Sequence, residues 1–247
     1  AVRERDPSGF ILQFRQALAL QEALSVYGMN YVVDPKSSYA ELSASDASLD
    51  YMQFPGQSLT YRAGDCDDLT VLYCALLEAA GIETAFVTVP GHIYAAFSPG
   101  VDPFAASRWF PRVDETITQG GRLWIPVETT MVHDGFLRAW QEGAREWREA
   151  SGRGMAALIP VRDAWKTYEP TASADDARVV PPDRTKVLAR YDESWKRLVG
   201  FEIAAREKAL KDGLAKKDDP AARNKLGVLY ATYSLYDQAE AAFAAGA

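Results

Sequence analysis

Leu69, Leu72, Tyr73, Leu76, Leu77 and Ala80 recur at i, i+3, i+4, i+7, i+8 and i+11, a single apolar stripe closed by Gly81. That period predicts a core helix with a glycine stop. Just ahead of the stripe stands GDCDD, residues 64–68. Asp65 fits the N-cap, Asp68 fits the third helical position of a capping box, and acids in the first turn complement the helix dipole. Cys66 then falls on the first helical residue, beside backbone N–H groups that have no intrahelical partner. Upstream, FILQFRQALALQEALSVYG (10–28) spaces Phe10, Phe14, Ala17, Leu18 and Leu24 helically and stops at Gly28. From Asp34 to Ser58 the pattern lapses into Pro, Ser, Asp and Gly, predicting an irregular loop of a length that is usually functional.

Beyond the helix the period changes to two. IETAFVTV (82–89), a Pro90-Gly91 turn and HIYAAF (92–97) read as two strands, and after a loop from Ser98 to about Arg122, LWIPVE (123–128) reads as a third. Returning this strand antiparallel against HIYAAF, with Phe97 opposite Leu123, sets His92 opposite Glu128 on a shared face. Pro126 implies that one side of its strand lacks a partner or that the ladder is interrupted there.

The segment DGFLRAWQEGAREWREA (134–150) predicts a helix capped by Asp134, and ALIPVRDAWKTYEP an extended piece ending near Pro170. TASADDARVVPPD is a polar, proline-bearing connector. The organisation expected is one domain over residues 1–170, a linker over 171–182 and a helical segment over 183–247, with a long helix to residue 213 interrupted weakly at Gly200.

Composition narrows the function classes. Thirty-four acidic against 27 basic residues give a net charge of -7, with no Lys/Arg block, which argues against nucleic acid as a partner. No apolar run approaches the roughly 18 residues of a spanning helix. The opening AVRERDPSGF has neither an initiator Met nor an apolar signal core. It is expected that a targeting segment has been removed, favouring an extracytoplasmic location over a cytoplasmic one, or that the chain was trimmed. Two cysteines eight residues apart on one helix sit about 12 Å apart and cannot form a disulfide together.

Cys66 at a helix start, His92 at a strand start and Glu128 at the end of the adjoining strand are the parts of a thiol–imidazole–carboxylate triad. Each has an ordinary alternative: a buried small hydrophobe, a strand histidine, a solvated glutamate. Over Tyr51 to Glu128, about a third of the chain, the sequence resembles the transglutaminase-like family of papain-like cysteine enzymes. The resemblance rests on the GDC helix start, a GH strand start 26 residues after the cysteine, and an acid closing the next strand. It implies an α+β fold for residues 1–170, with the cysteine helix packed on an antiparallel sheet. It also implies that Cys66 is the nucleophile, His92 the base and Glu128 the orienting acid, where the family most often has Asp. No cofactor or resident metal is implied.

In such an enzyme Cys66 attacks an amide carbonyl of a protein or peptide, His92 protonates the leaving amine, and water or a second amine resolves the thioester. The aspartates oppose the helix N-terminus electrostatically, so the thiolate depends on imidazolium His92. Oxyanion donors are the backbone N–H of Cys66 and a side chain of the preceding loop, Gln53, with Gln57 behind it. Asp65, Asp67 and Asp68 could alternatively hold Ca²⁺, and the activity would then vanish with chelator. His133 reads as a loop histidine and Cys74 as packing. Trp109, Trp124, Trp140, Trp147 and Tyr94 are candidates for a substrate groove, most of them expected in the core.

Leu226, Gly227, Tyr230, Tyr236, Ala239 and Phe243 resemble one tetratricopeptide repeat, a helix-turn-helix that would bind a protein partner. One repeat cannot bury its own face, so either the helix at 183–213 covers it or, the favoured expectation, the segment is the truncated start of an array that continued beyond AAFAAGA. The alternatives are a plain Ala-rich hairpin and, for the whole chain, a transglutaminase-like fold that has lost activity and serves as a scaffold.

Overall fold

A computed structural model describes residues 10–33, 52–106, 110, 112–171 and 179–246. Residues 34–51 of the expected loop, Trp109 and residues 172–178 of the expected linker lie outside the described residues. The protein is α+β, and its contacts divide it into two units between Ser194 and Trp195.

In the first unit, helix α1 (Phe10–Tyr27) buries Phe14, Ala17, Leu18 and Leu24. Phe14 lies at the centre of an aromatic cluster, with the rings of Phe97, Phe110, Phe136 and Trp140 at 5.3–6.1 Å. Strand β1 (Asn30–Tyr31) pairs in parallel with β2 (Ala63–Gly64). Between them stands helix α2 (Pro55–Tyr61), inside the stretch expected to be irregular. Pro55 pre-sets its first turn, and Gln57 Oε1 accepts from the Phe54 N–H at 2.9 Å.

Helix α3 (Cys66–Ala79) is the predicted core helix, with Leu69, Leu72, Tyr73 and Leu77 buried. The stripe is shorter than expected: Leu76 is half-buried and Ala80 is exposed at the C-cap. Ile82 belongs to the helix exit, its N–H donating to Leu77 O at 2.9 Å, so β3 begins two residues later than its β-branched composition suggests.

Strands β3 (Thr84–Val89), β4 (His92–Phe97), β5 (Ile117–Gln119), β6 (Arg122–Val127) and β7 (Ala157–Pro160) form one antiparallel sheet in the order β5-β6-β4-β3-β7. Strand β5 lies in the region expected to be a loop, joined to β6 by Gly120-Gly121, both at positive φ (61° and 71°), as a tight two-residue hairpin demands. Its pairing with β6 stops at Trp124, two residues before Pro126, as the proline requires. Helix α4 (Phe136–Ser151) follows, then the short α5 (Val161–Ala164) in the segment expected to be extended.

Asp134 does not cap α4. The cap residue is Gly135 at φ +86°, and the Phe136 N–H donates 3.1 Å to Glu22 Oε1, a carboxylate from α1. Glu22 is fully buried and also accepts from Ser194 Oγ (2.6 Å) and Arg190 Nε (3.0 Å).

Helix α6 (Arg184–Lys216) runs unbroken through Gly200 for 33 residues, and the division between the two units falls inside it. In the second unit, α7 (Pro220–Thr232) and α8 (Tyr236–Ala244) form the predicted helix-turn-helix. Its apolar face is covered by Val199 and Ile203 of α6, which pack with Leu226, Leu229, Tyr230 and Ala239. Gly227 lets α8 approach, since a Cβ there would stand 2.5 Å from the Phe243 ring. Among the described residues no helix is long and apolar enough to cross a membrane.

Candidate functional site

Cys66 is the first residue of α3 and is 6 % exposed. Asp65 is the N-cap: its Oδ1 accepts from the Asp68 N–H, and Asp68 Oδ2 accepts from the Asp65 N–H, both at 3.3 Å. This is the expected capping box. The Cys66 N–H stands at the open end of the helix, while the N–H groups of Asp67 and Asp68 donate to the Asp67 carboxyl. Gly64 is dictated by packing, because a Cβ there would stand 2.6 Å from Asp68 Cβ and force β2 away from the helix start.

His92 opens β4, and Glu128 directly follows β6. Their side chains meet, His92 Nε2 to Glu128 Oε2, at 2.6 Å. The expected register is corrected, because Phe97 pairs with Ile125 rather than Leu123. Continued past Ala95–Val127, the observed register sets Glu128 beside Tyr94, so His92 and Glu128 are diagonal neighbours. A slip of two residues preserves the faces, and a long carboxylate spans a diagonal pair. Glu128 is itself held, its Oε1 accepting from the Thr130 N–H (2.9 Å) and Thr130 Oγ1 (2.6 Å).

Thr70, one turn beyond Cys66, ties the helix to both strands. Its hydroxyl meets Thr129 Oγ1 at 2.8 Å and donates to Ile93 O at 3.3 Å, next to Glu128 and His92 respectively. The three candidate residues therefore stand on elements cross-linked at a single threonine. The Cys66 thiol lies within interaction reach of the imidazole and favours its charged form.

Burial disfavours a charged imidazole, but the hydrogen bonds from Cys66 and Glu128 and the charges of Glu128 and Glu146 outweigh it and push His92 up to about 10. His92 is thus an imidazolium across the neutral range. Asp67 behaves oppositely: burial, and then the hydrogen bond and charge of Asp65, push its carboxyl up to about 7. Near neutrality the ring of acids around Cys66 therefore carries less charge than its composition suggests. Tyr31 in β1 stands in the field of Cys66, Asp65 and Glu128, and burial together with these charges raises its phenol.

Gln53, the expected oxyanion donor, is held at the cysteine helix: its backbone N–H and its Nε2 each donate to Asp68 at 2.6 Å. Gln57 is likewise taken up by the cap of α2. Of the first N–H groups of α3, those of Asp67 and Asp68 are taken by the carboxylates of Asp65 and Asp67. Cys74 is buried, its Sγ 3.9 Å from Ala85 O, and burial raises its thiol to about 12. His133 bridges Ser25 (3.2 Å) and Asn30 (3.3 Å) in an exposed turn. Trp124, Trp140 and Tyr94 are core residues, and Trp147 packs partly buried beside them.

Carboxylate oxygens of Asp65, Asp67 and Asp68 lie within 4.8 Å of one another. They are the residues that could hold a hard cation, yet Asp68 is committed to Gln53 and to the cap, and Asp67 to a hydrogen bond with Asp65. Thr70, Tyr31 and Glu146 lie at the site without a sequence signal, since each reaches it through long-range packing, whereas Thr130 binds Glu128 from two residues away. Comparisons with protein-family models, curated proteins and solved structures find no match.

Proposed function

We propose that this protein is a cysteine-dependent acyl-transfer enzyme of transglutaminase-like type, acting on amide bonds of proteins or peptides. The observation that carries the reading is the His92 imidazole bonded to the Glu128 carboxylate at 2.6 Å and within the influence of the Cys66 thiol. The GDC helix start, the GH strand start and the antiparallel sheet beneath the cysteine helix support the same reading.

In this mechanism the Cys66 sulfur adds to the substrate carbonyl while the Cys66 N–H receives the oxyanion. The intermediate collapses as His92 gives its proton to the leaving amine, forming a thioester on Cys66. Water or an acceptor amine, deprotonated by His92, then attacks the thioester and restores the thiol. Glu128 keeps Nε2 as its hydrogen-bonded nitrogen throughout. The α7–α8 hairpin is read as one tetratricopeptide-like repeat that binds a protein partner.

The test is a peptide library incubated with the full chain, followed by intact-mass detection of an acyl adduct on Cys66, with and without an added primary amine. An adduct lost in Cys66→Ser supports the reading, and aminolysis products distinguish transferase from hydrolase. No adduct together with an unreactive Cys66 would favour a catalytically inactive scaffold.

A further inference from the structure

The imidazole has a second carboxyl neighbour that the triad does not use. Glu146 Oε2 stands 3.9 Å from His92 Nε2, buried and with no hydrogen-bond partner. Its place follows from the packing of α4. Gly143 presses against the sheet, where a Cβ would come within 3.3 Å of the Glu128 backbone nitrogen and of Pro126. Tyr94 donates its hydroxyl to Gly143 O (2.9 Å), and the Glu128 N–H donates to Ala139 O (2.9 Å). Three residues beyond Gly143 on the same helical face, Glu146 is carried to the histidine.

Resting on the proposed function, we propose that Glu146 is a positioning residue whose charge strengthens the hold of His92 on its proton. The groups facing it are few. Glu128 and Tyr94 come from the sheet side with His92, and Glu142 and Arg145 from its own helix. Arg145 Nη2 lies 3.6 Å from the other Glu146 oxygen but is engaged by Glu142 and Glu149. Burial and the charge of Glu128 raise Glu146 to about 7 against the opposing pull of His92. Around neutrality Glu146 therefore passes from an uncharged acid to an anion beside Nε2. Its ionisation adds attraction for the imidazolium, so His92 keeps its proton to a higher pH than Glu128 alone would hold it.

The experiment uses the full chain and two readouts. The first is the titration of His92 followed by NMR of the imidazole, in the parent protein, Glu146→Gln, Glu146→Asp and the control Glu240→Gln on the second unit. The second is the rate of Cys66 alkylation by iodoacetamide at pH 7, where His92 is protonated in every one of these variants. Glu146→Gln should lower the His92 midpoint by roughly one pH unit while Cys66 stays faster than in His92→Ala. Glu146→Asp should keep the midpoint close to the parent value, and Glu240→Gln should leave it unchanged. An unmoved His92 midpoint in Glu146→Gln would overturn the inference while leaving the triad standing. A parent Cys66 no faster than that of His92→Ala would overturn the triad and this inference together.

Discussion

His92 Nε2 and Glu128 Oε2 meet at 2.6 Å from diagonal positions on two antiparallel strands, with the far oxygen of Glu128 anchored by Thr130. The carboxylate is therefore held at both ends, and it is the only acid within a short hydrogen bond of the imidazole among the described residues. Glu128→Gln keeps the shape but can turn an N–H toward Nε2, favouring the wrong tautomer. We expect turnover to fall by about 10²–10⁴-fold with little change in melting temperature. Steady-state kinetics on an amide substrate found with the library, alongside thermal melts, check this, and unchanged turnover would remove Glu128 from the mechanism.

Asp67 gives the site a cost that depends on pH. Its carboxyl rises from 3.8 to about 7 because it is buried beside Asp65. Between those values the folded state keeps a proton that the unfolded chain has released, so stability falls as pH rises through this window and the full penalty is felt above about 7. Asp67→Asn places an N–H donor where the protonated acid would donate to Asp65. We expect the substitution to stabilise the protein at pH 8 by on the order of 1 kcal/mol after solvent screening, and by nothing at pH 3.5. Denaturation at the two pH values reads this difference.

Glu22 closes the start of α4 from 114 residues away. Removing it leaves the Phe136 N–H and Ser194 Oγ without this acceptor and Arg190 without its carboxylate. Glu22→Ala should cost about 2–4 kcal/mol, whereas Glu22→Gln, which keeps one acceptor oxygen, should cost about half as much. Urea denaturation distinguishes them, and equal losses would mean that the lost charge accounts for the whole effect and side-chain volume for none of it.

Local rules located much of this site. The 3.6-residue stripe gave α3 its start, and the Asp65–Asp68 box lies where its spacing places it. Strand β4 has the limits expected of HIYAAF. The β4–β6 register was two residues off because nothing local sets it, yet a period of two kept His92 and Glu128 on one face. Strand β5 was legible in Gly120-Gly121, and helix α2 in Pro55 with Gln57, but both signals were submerged in polar surroundings. What could not be read locally was who completes whom: Glu22 rather than Asp134 caps α4, Gln53 turns to Asp68, and Gly143 delivers Glu146 to His92. Those choices depend on contacts between residues far apart in the chain.

The most direct test of the account compares the two thiols of one helix. Cys74 is buried and raised to about 12, so it serves as the internal reference for Cys66. With iodoacetamide at pH 7 and peptide mapping by mass, Cys66 should be labelled at least about tenfold faster than Cys74, and His92→Ala should slow Cys66 by a similar factor while leaving the fold intact. Labelling of Cys66 at the same rate with and without the imidazole would contradict the claim that His92 activates it.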